Sequence, residues 1–285
     1  MKKQKKFKEF KHSKSLGQNF LQDEGIIDEI IEACGAKKTG IVLEVGPGEG
    51  ALTERLVREA GHVVAVELDK RLIPVLGKKF KNCENISIIN DDILKIDIDE
   101  TIGKIKSETN LDDAVIVGNL PYYITTPIIM KILEEKASIR HAVMMMQKEV
   151  GERLLAEAGE KSIGAITHSV NYYAEVKKVC DVDKTAFNPV PKVDSMVVKF
   201  IIRDKPPVKP QNEKIFFSLI KTSFLKRRKT LANSLNGFLG IEKKEIENVL
   251  SELEIDKNIR CERLTIEQFS TLSDKLLEKK ENFKI

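Results

Sequence analysis

Short apolar runs alternate with longer amphipathic segments over the first two thirds of the chain, and this alternation constrains the fold more than any other feature. The runs are rich in Val, Ile or Met, which is typical of buried strands in a parallel sheet. The segments between them show the apolar spacing of helices. Strand, helix and strand repeated in this way predict a doubly wound α/β fold. The predicted strands are residues 41–45, 63–67, 86–89, 114–118 and 142–147, and the predicted helices are residues 51–60, 70–80 and 126–136.

The pattern changes after residue 160. Segments 167–176 and 195–202 alternate polar with apolar residues, which predicts two strands at an antiparallel edge of the sheet. Segment 205–210 contains three prolines, and it is predicted to be a stiff linker because proline fits neither a helix interior nor a central strand. Helical spacing follows it. The predicted organisation is a basic tail (1–14), a catalytic domain (15–204), the linker (205–210) and a helical domain (211–285).

The charge of the chain is divided unevenly. Residues 1–14 hold seven lysines against one acid, and residues 205–285 hold 17 basic residues against 12 acids. Because the whole chain carries only +4, the middle is acidic. Basic ends around an acidic centre fit a polyanionic partner such as nucleic acid, and they fit plain solubilising tails equally well.

Cysteine and histidine usage indicates no metal site. The four cysteines are widely spaced without a C-x-x-C pair, and the four histidines show no ligand spacing. We therefore expect a reducing compartment and no metal. No apolar run reaches the roughly 18 residues of a membrane span, and the start of the chain does not resemble a signal peptide. A cytoplasmic protein is predicted, with no membrane partner.

A glycine-rich loop follows the first predicted strand. It begins at Glu44 and carries Gly46, Gly48 and Gly50 just before a predicted helix, so the backbone can approach a ligand without Cβ clashes. The next strand ends at Glu67, whose carboxylate can accept hydrogen bonds from both ribose hydroxyls of an adenosine cofactor. Asp92, after the third strand, could accept from an adenine amino group. This loop alone fits S-adenosylmethionine (SAM), a nicotinamide dinucleotide or a structural coincidence.

The fourth predicted strand ends at a tetrad, Asn119-Leu120-Pro121-Tyr122. The carboxyl ends of the strands face the ligand crevice in such a sheet. The tetrad matches the Asn/Asp-x-Pro-Tyr/Phe motif of enzymes that methylate exocyclic amino groups of nucleobases. The Asn119 side-chain oxygen and the Leu120 carbonyl could accept both N6 hydrogens of adenine and stabilise the positive charge that develops on nitrogen. Pro121 would fix the backbone, and Tyr122 could stack on a flipped-out base.

At this point the chain resembles the ribosomal RNA adenine N6,N6-dimethyltransferase family over nearly its whole length. Segment 16–21 resembles the family's N-terminal cofactor motif. The resemblance implies a Rossmann-like class I SAM-dependent methyltransferase with a small C-terminal all-helical domain. Segment 187–195 resembles the family's F-x-P-x-P-K-V-D-S motif, which implies that Phe187 is the second aromatic of the base clamp. The SAM contacts that the family implies fall on Asn19, Leu21, Gly46, Glu67, Asp92 and Asn119.

Two branches of this family differ in their targets. Asn-Leu-Pro-Tyr, Lys-Val-Asp-Ser and segment 222–234 are closer to the small-subunit enzymes than to the macrolide-resistance enzymes of 23S rRNA. The resemblance implies dimethylation of two adjacent adenosines in the 3′-terminal hairpin loop of 16S rRNA, in the immature small subunit. We expect the protein to act as a monomer. Tyr123 departs from the Asn of many bacterial members. Arg227, Arg228 and Lys229 are predicted rRNA contacts. Three rival functions stay open: a macrolide-resistance enzyme acting on 23S rRNA, a non-catalytic assembly factor and a dehydrogenase.

Overall fold

The computed structural model describes residues 19–135 and 138–282. The predicted basic tail and residues 16–18 of the N-terminal motif lie outside the described residues. The strands are β1 (Phe20–Leu21), β2 (Gly40–Val45), β3 (His62–Val66), β4 (Ile86–Ile89), β5 (Asp113–Asn119), β6 (His141–Gln147), β7 (Ala174–Val182), β8 (Phe187–Asn188) and β9 (Ser195–Ile202). The helices are α1 (Glu24–Cys34), α2 (Ala51–Glu59), α3 (Ile73–Lys79), α4 (Ile98–Glu108), α5 (Thr125–Glu134), α6 (Lys148–Leu155), α7 (Ala165–Tyr173), α8 (Glu213–Leu225), α9 (Leu231–Leu235), α10 (Lys243–Glu252) and α11 (Ile266–Asn282).

Seven strands form one mixed sheet in the order β4-β3-β2-β5-β6-β9-β7. The five strands from β4 to β6 are parallel, whereas β9 runs antiparallel to both β6 and β7. All six residues of β2 are buried, as expected for a strand covered on both faces. The predicted α/β fold, its five parallel strands and its antiparallel edge are confirmed. β1 and β8 pair separately as a two-stranded ribbon.

The sheet separates two apolar cores because successive side chains of a strand point to opposite faces. In β2, Ile41, Leu43 and Val45 pack into the core under α4 and α5, whereas Val42 packs into the core under α1 and α2. This arrangement fixes the carboxyl ends of β2, β3 and β5 side by side. The loops that follow these three strands therefore meet at one edge of the sheet.

The prediction of a strand over residues 167–176 is wrong for most of its length. Helix α7 occupies residues 165–173, and β7 begins only at Ala174. The β-branched and aromatic residues of this segment favour a strand locally. The segment is a helix whose buried side chains pack in two different cores. Val170 lies in the sheet core, and Tyr172 lies in the core of the C-terminal helices. Tertiary packing on both sides thus overrides the local preference.

The C-terminal part of the chain is helical, as predicted, and has a core of its own. Helices α8 to α11 bury Phe216, Leu250 and Phe269 together. Helix α7 joins this part to the sheet, since the Tyr172 hydroxyl donates to Glu213 at 2.7 Å and its ring contacts Phe216. No helix or strand is formed in residues 203–212. We propose that the domains divide within the predicted linker, residues 205–210.

Candidate active site

A cavity of about 170 Å³ opens where the loops after β2, β3 and β5 meet. It is bordered by the glycine-rich loop, by Glu67 at the end of β3 and by the tetrad at the end of β5. Residues Asn19 to Gln22, around β1, close it from the N-terminal side. The predicted site residues that line it are Asn19, Leu21, Gly46, Gly48, Glu67, Asn119, Leu120, Pro121 and Tyr122. Segments 100 residues apart in sequence therefore form one site.

The glycine-rich loop needs its glycines for conformation and for space. Gly46 and Gly48 have φ angles of 69° and 60°, in the left-handed region that disfavours other residues. A Cβ on Gly48 would lie 2.8 Å from the ring of Phe20. The loop leads directly into α2, which begins at Ala51. The loop backbone is thus open to close approach by a ligand.

Glu67 is held rigidly at the tip of β3. Its Oε2 accepts from the Gly48 amide at 3.1 Å, and its Oε1 accepts from the Asp69 amide at 2.8 Å. Only 6% of the residue is exposed, and burial raises its pKa while the amide hydrogen bonds oppose that shift. These bonds fix the carboxylate at the cavity wall while each oxygen keeps a further lone pair for a ligand.

Glu44 is a second buried acid that lines the cavity, and sequence reasoning did not single it out. The Thr53 hydroxyl donates to its Oε2 at 2.6 Å. Burial raises the pKa of Glu44 to about 7, although the Thr53 hydrogen bond opposes the shift. The signal in the sequence is an acid inside an otherwise apolar strand. Its burial depends on α2 packing over β2, which the sequence pattern does not show.

Asn119 is the last residue of β5, and its amide is oriented by a distant segment. Its Nδ2 donates to the main-chain carbonyl of Asn19 at 3.1 Å. This bond occupies the amide nitrogen and leaves Oδ1 as the acceptor at the other end of the group. The orientation of the Asn119 amide is therefore set by Asn19, the residue before β1. Sequence reasoning named both asparagines but did not anticipate this bond.

Two backbone carbonyls of the tetrad differ in their hydrogen bonding. The Pro121 carbonyl accepts from the Ile124 amide and the Thr125 hydroxyl, both at 3.1 Å. The Leu120 amide donates to Met145. Within residues 19–135 and 138–282, no donor bonds to the Leu120 carbonyl. It is thus an unused acceptor next to Asn119.

The Tyr122 side chain is anchored through its hydroxyl to the start of β9. Its hydroxyl shares a 2.8 Å hydrogen bond with Ser195 Oγ, and Ser195 is fully buried at the start of β9. Burial raises the pKa of the Tyr122 phenol, so the hydroxyl stays neutral. The ring is half-buried and lines the cavity. Its position is therefore fixed by the sheet as well as by the tetrad.

Phe187 and Asp92 are not brought into the cavity lining. Phe187 is 3% exposed and packs in the core under α1 and α2, with Leu21 as its partner across the β1–β8 ribbon. Asp92 lies after β4, where its Oδ1 accepts from the Leu94 amide at 3.0 Å. Both residues keep their assigned roles as predictions.

Arg227, Arg228 and Lys229 are exposed, together with Lys226, in the turn between α8 and α9. We call residues 226–229 the basic turn. These four residues are not helical, because α8 ends at Leu225. The Arg227 guanidinium donates to the Lys161 carbonyl at 2.7 Å and lies 5.9 Å from the Phe224 ring centre.

Neither a metal site nor a membrane-spanning helix is present in residues 19–135 and 138–282. No cluster of three or more His, Cys, Asp or Glu side chains that could hold a metal ion occurs among them. Within the same ranges, no helix is long and apolar enough to cross a membrane.

Comparison with solved structures supports this description. A dimethyladenosine transferase from Plasmodium falciparum superposes with a TM-score of 0.75 at 31% identity, covering 92% of this chain and 98% of that one. The 23S rRNA methyltransferase ErmE superposes with a TM-score of 0.68 at 27% identity, over 90% of this chain and 99% of that one. The fold is that of the class I SAM-dependent methyltransferases.

Sequence relatives give the same result. Residues 9–278 match the family model described as ribosomal RNA adenine dimethylase. The ribosomal RNA small subunit methyltransferase A of Anoxybacillus flavithermus is 46% identical over 270 residues, which is 94% of this chain and 91% of the relative. The protein of that name from Bacillus mycoides is 44% identical over 272 residues, 94% of this chain and 92% of its own. The chain belongs to the ribosomal RNA adenine dimethylase family.

Proposed function

We propose that this protein uses SAM to dimethylate the N6 amino groups of two adjacent adenosines in the 3′-terminal hairpin of 16S rRNA. The substrate is the immature small ribosomal subunit, and the protein acts in the cytoplasm as a monomer without a metal. The observation that supports this proposal most strongly is the tetrad: Asn119 Oδ1 and the Leu120 carbonyl are two acceptors at the end of β5. Family membership supports the choice of adenine in ribosomal RNA.

The residues of the cavity fit SAM as the cofactor. Gly48 lines the cavity, and the absence of a side chain there lets the Phe20 ring pack against the loop. Glu67 offers carboxylate lone pairs to the ribose hydroxyls, and Leu21 forms an apolar wall. SAM supplies an electrophilic methyl group when it is bound. Asp92 is the proposed acceptor for the adenine amino group of the cofactor, beyond the lining of the cavity.

The two acceptors activate the target amine. The N6 lone pair of adenine is delocalised into the ring, so the free amine is a poor nucleophile. Asn119 Oδ1 and the Leu120 carbonyl accept its two hydrogens, which favours tetrahedral nitrogen and stabilises the positive charge that develops there. The Asn19 carbonyl accepts from Asn119 Nδ2 and so holds the amide with its Oδ1 free to accept. Because both acceptors are preorganised, no strong general base is needed to start the reaction.

The target base is held by aromatic contact. Tyr122 is placed to stack on a flipped-out adenine, and its hydrogen bond to Ser195 keeps the ring in position. Pro121 contributes through its carbonyl, which stabilises the turn that carries Tyr122. Phe187 is the proposed second aromatic of the clamp. Its ring is buried next to Leu21, so this role requires the β1–β8 ribbon to shift when RNA binds.

The basic turn is the proposed contact with ribosomal RNA outside the cavity. Arg227, Arg228 and Lys229 are exposed and can approach phosphates, because they lie in a turn rather than around a helix. Such contacts position the enzyme, whereas the choice of target comes from the shape of the folded RNA and the splayed adenosine. In this proposal the basic turn docks the enzyme on the RNA, and the cavity carries out the chemistry.

The experiment uses the full chain with SAM on small subunits that lack dimethyladenosine and on naked 23S rRNA. We expect methylation of the subunits only, and Asn119→Ala should abolish it while subunit binding persists. The matched control is Asn248→Ala, on an exposed position of α10 far from the tetrad in sequence.

Each rival predicts a different result. Methylation of 23S rRNA would indicate the macrolide-resistance activity. Subunit binding without methyl transfer would indicate an assembly factor, and binding of a nicotinamide dinucleotide without SAM would indicate a dehydrogenase. Full activity of Asn119→Ala would contradict the assignment of the tetrad.

A further inference from the structure

We propose that Tyr123 is a substrate-binding residue that stacks on the base next to the target adenosine. The inference rests on the proposed function and deepens it. Tyr122 and Tyr123 are neighbours in sequence, but their side chains differ in hydrogen bonding and exposure. The Tyr122 hydroxyl is bonded to Ser195, whereas 59% of Tyr123 is exposed. The pair therefore offers one anchored ring and one ring facing solvent.

The exposure of Tyr123 is imposed by a rigid backbone. On one side Tyr122 is bonded to Ser195. On the other side the Ile124 amide and the Thr125 hydroxyl both donate to the Pro121 carbonyl, and Thr125 is buried at the start of α5. Tyr123 lies between these fixed points. Its ring is thus held out at the surface by an ordered turn, which lowers the entropic cost of binding a ligand.

The Tyr123 ring lies at the mouth of the cavity and has no hydrogen-bond or ring partner among the described residues. Tyr123 is both exposed and part of the cavity lining. In the described ranges, no hydrogen bond or ring contact engages it. Leu68, 49% exposed, lines the same cavity, so the mouth presents apolar surface to solvent. An aromatic side chain exposed in this way has contact area available for a planar ligand.

The proposed reaction places such a ligand at the mouth. When one of two adjacent adenosines is in the cavity beside Tyr122, the next base is at most one nucleotide away along the strand. That base is unpaired, and unpaired bases in RNA are commonly bound by stacking on aromatic side chains. Tyr123, one residue from Tyr122, is placed to receive it.

This contact is formed in the ground state as well as in the transition state, so it contributes uniform binding. Loss of the ring should therefore raise KM and leave kcat unchanged. Stacking of one base is worth roughly a tenfold change in binding, and more in favourable cases. This split separates Tyr123 from Asn119, whose loss removes the chemical step.

The test uses small subunits reconstituted with 16S rRNA whose 3′-terminal hairpin is a ligated synthetic oligonucleotide. One version carries both adenosines, and the other has an abasic site next to the target. On the first RNA, Tyr123→Ala should raise KM roughly tenfold at unchanged kcat, and Tyr123→Phe should restore the low KM while Tyr123→Leu does not. On the abasic RNA, wild type and Tyr123→Ala should have the same KM.

Thermal unfolding of each variant reports whether it is folded. The inference is overturned if Tyr123→Ala has the wild-type KM on the intact RNA, or if its defect persists in full on the abasic RNA. In both cases the wild type is active, so the proposed function stands. If the wild type does not methylate the intact RNA, the proposed function fails and the inference falls with it.

Discussion

Gly48→Ala tests the cofactor loop because two independent costs follow from the structure. Gly48 has a φ angle of 60°, where an L-residue costs about 1–2 kcal/mol. The added Cβ would also lie 2.8 Å from two ring carbons of Phe20, closer than such contacts allow. Phe20 must therefore move. Phe20 is part of β1, between Asn19 and Leu21, so the displacement spreads along one wall of the cavity.

We expect Gly48→Ala to weaken SAM binding at least tenfold, since about 1.4 kcal/mol corresponds to that factor. Isothermal titration calorimetry measures the affinity, and thermal unfolding measures the loss of stability. Methyl transfer should fall further than affinity, because displacement of Asn19 also removes the hydrogen bond that orients the Asn119 amide.

Gly77→Ala is the matched control. Gly77 lies inside α3, and an added Cβ meets nothing within 4 Å. Alanine in place of glycine in a helix stabilises by roughly 0.5–1 kcal/mol, so this variant should unfold at a higher temperature and bind SAM as the wild type does. SAM binding by Gly48→Ala at wild-type affinity would refute the account of the loop.

Three further predictions address other parts of the site. Ser195→Ala should lower kcat/KM by about two- to tenfold, the worth of one net hydrogen bond. Adding Tyr122→Phe should lower kcat/KM little further, because the two side chains share that bond. Additive losses in the double variant would contradict this. Burial raises the pKa of Glu44 from 4.5 to about 7, so its contribution to the stability of the fold is complete below pH 4.5 and is lost as pH rises through 7. In chemical denaturation, Glu44→Gln should therefore gain stability relative to the wild type as pH rises over this window. Parallel pH profiles of the two proteins would contradict the raised pKa. Replacing Arg227, Arg228 and Lys229 with Ala should weaken subunit binding and flatten its salt dependence, and unchanged salt dependence in a filter-binding titration would exclude the basic turn as a contact.

The sheet could be predicted from the sequence, whereas α7 could not. The parallel strands are short runs rich in apolar residues, so composition alone marks the buried strands β2, β3, β5 and β6 and the partly buried edge strand β4. Segment 165–173 contains residues that favour a strand, and only its burial between two cores makes it a helix. The apolar pattern was therefore sufficient for these strands, and local preference failed in α7, where two separate parts of the protein pack on the same segment.

The site was predictable as a set of positions but not as a geometry. The ends of the strands identify Gly46, Glu67 and Asn119, because parallel strands bring their carboxyl ends together. The bond between Asn119 and the Asn19 carbonyl spans 100 residues, and no local pattern encodes it. The same limit applies to Phe187, whose motif identifies an aromatic residue but does not show that β8 pairs with β1 and buries the ring.

The most direct test of the proposed function is mass mapping of 16S rRNA from cells that lack this protein. The account predicts that dimethyladenosine disappears from both adjacent positions of the 3′-terminal hairpin. Wild-type protein and SAM should restore it on the isolated small subunits, and Asn119→Ala should not. Dimethyladenosine present at wild-type levels in the deletion strain, or restored by Asn119→Ala, would contradict the central claim.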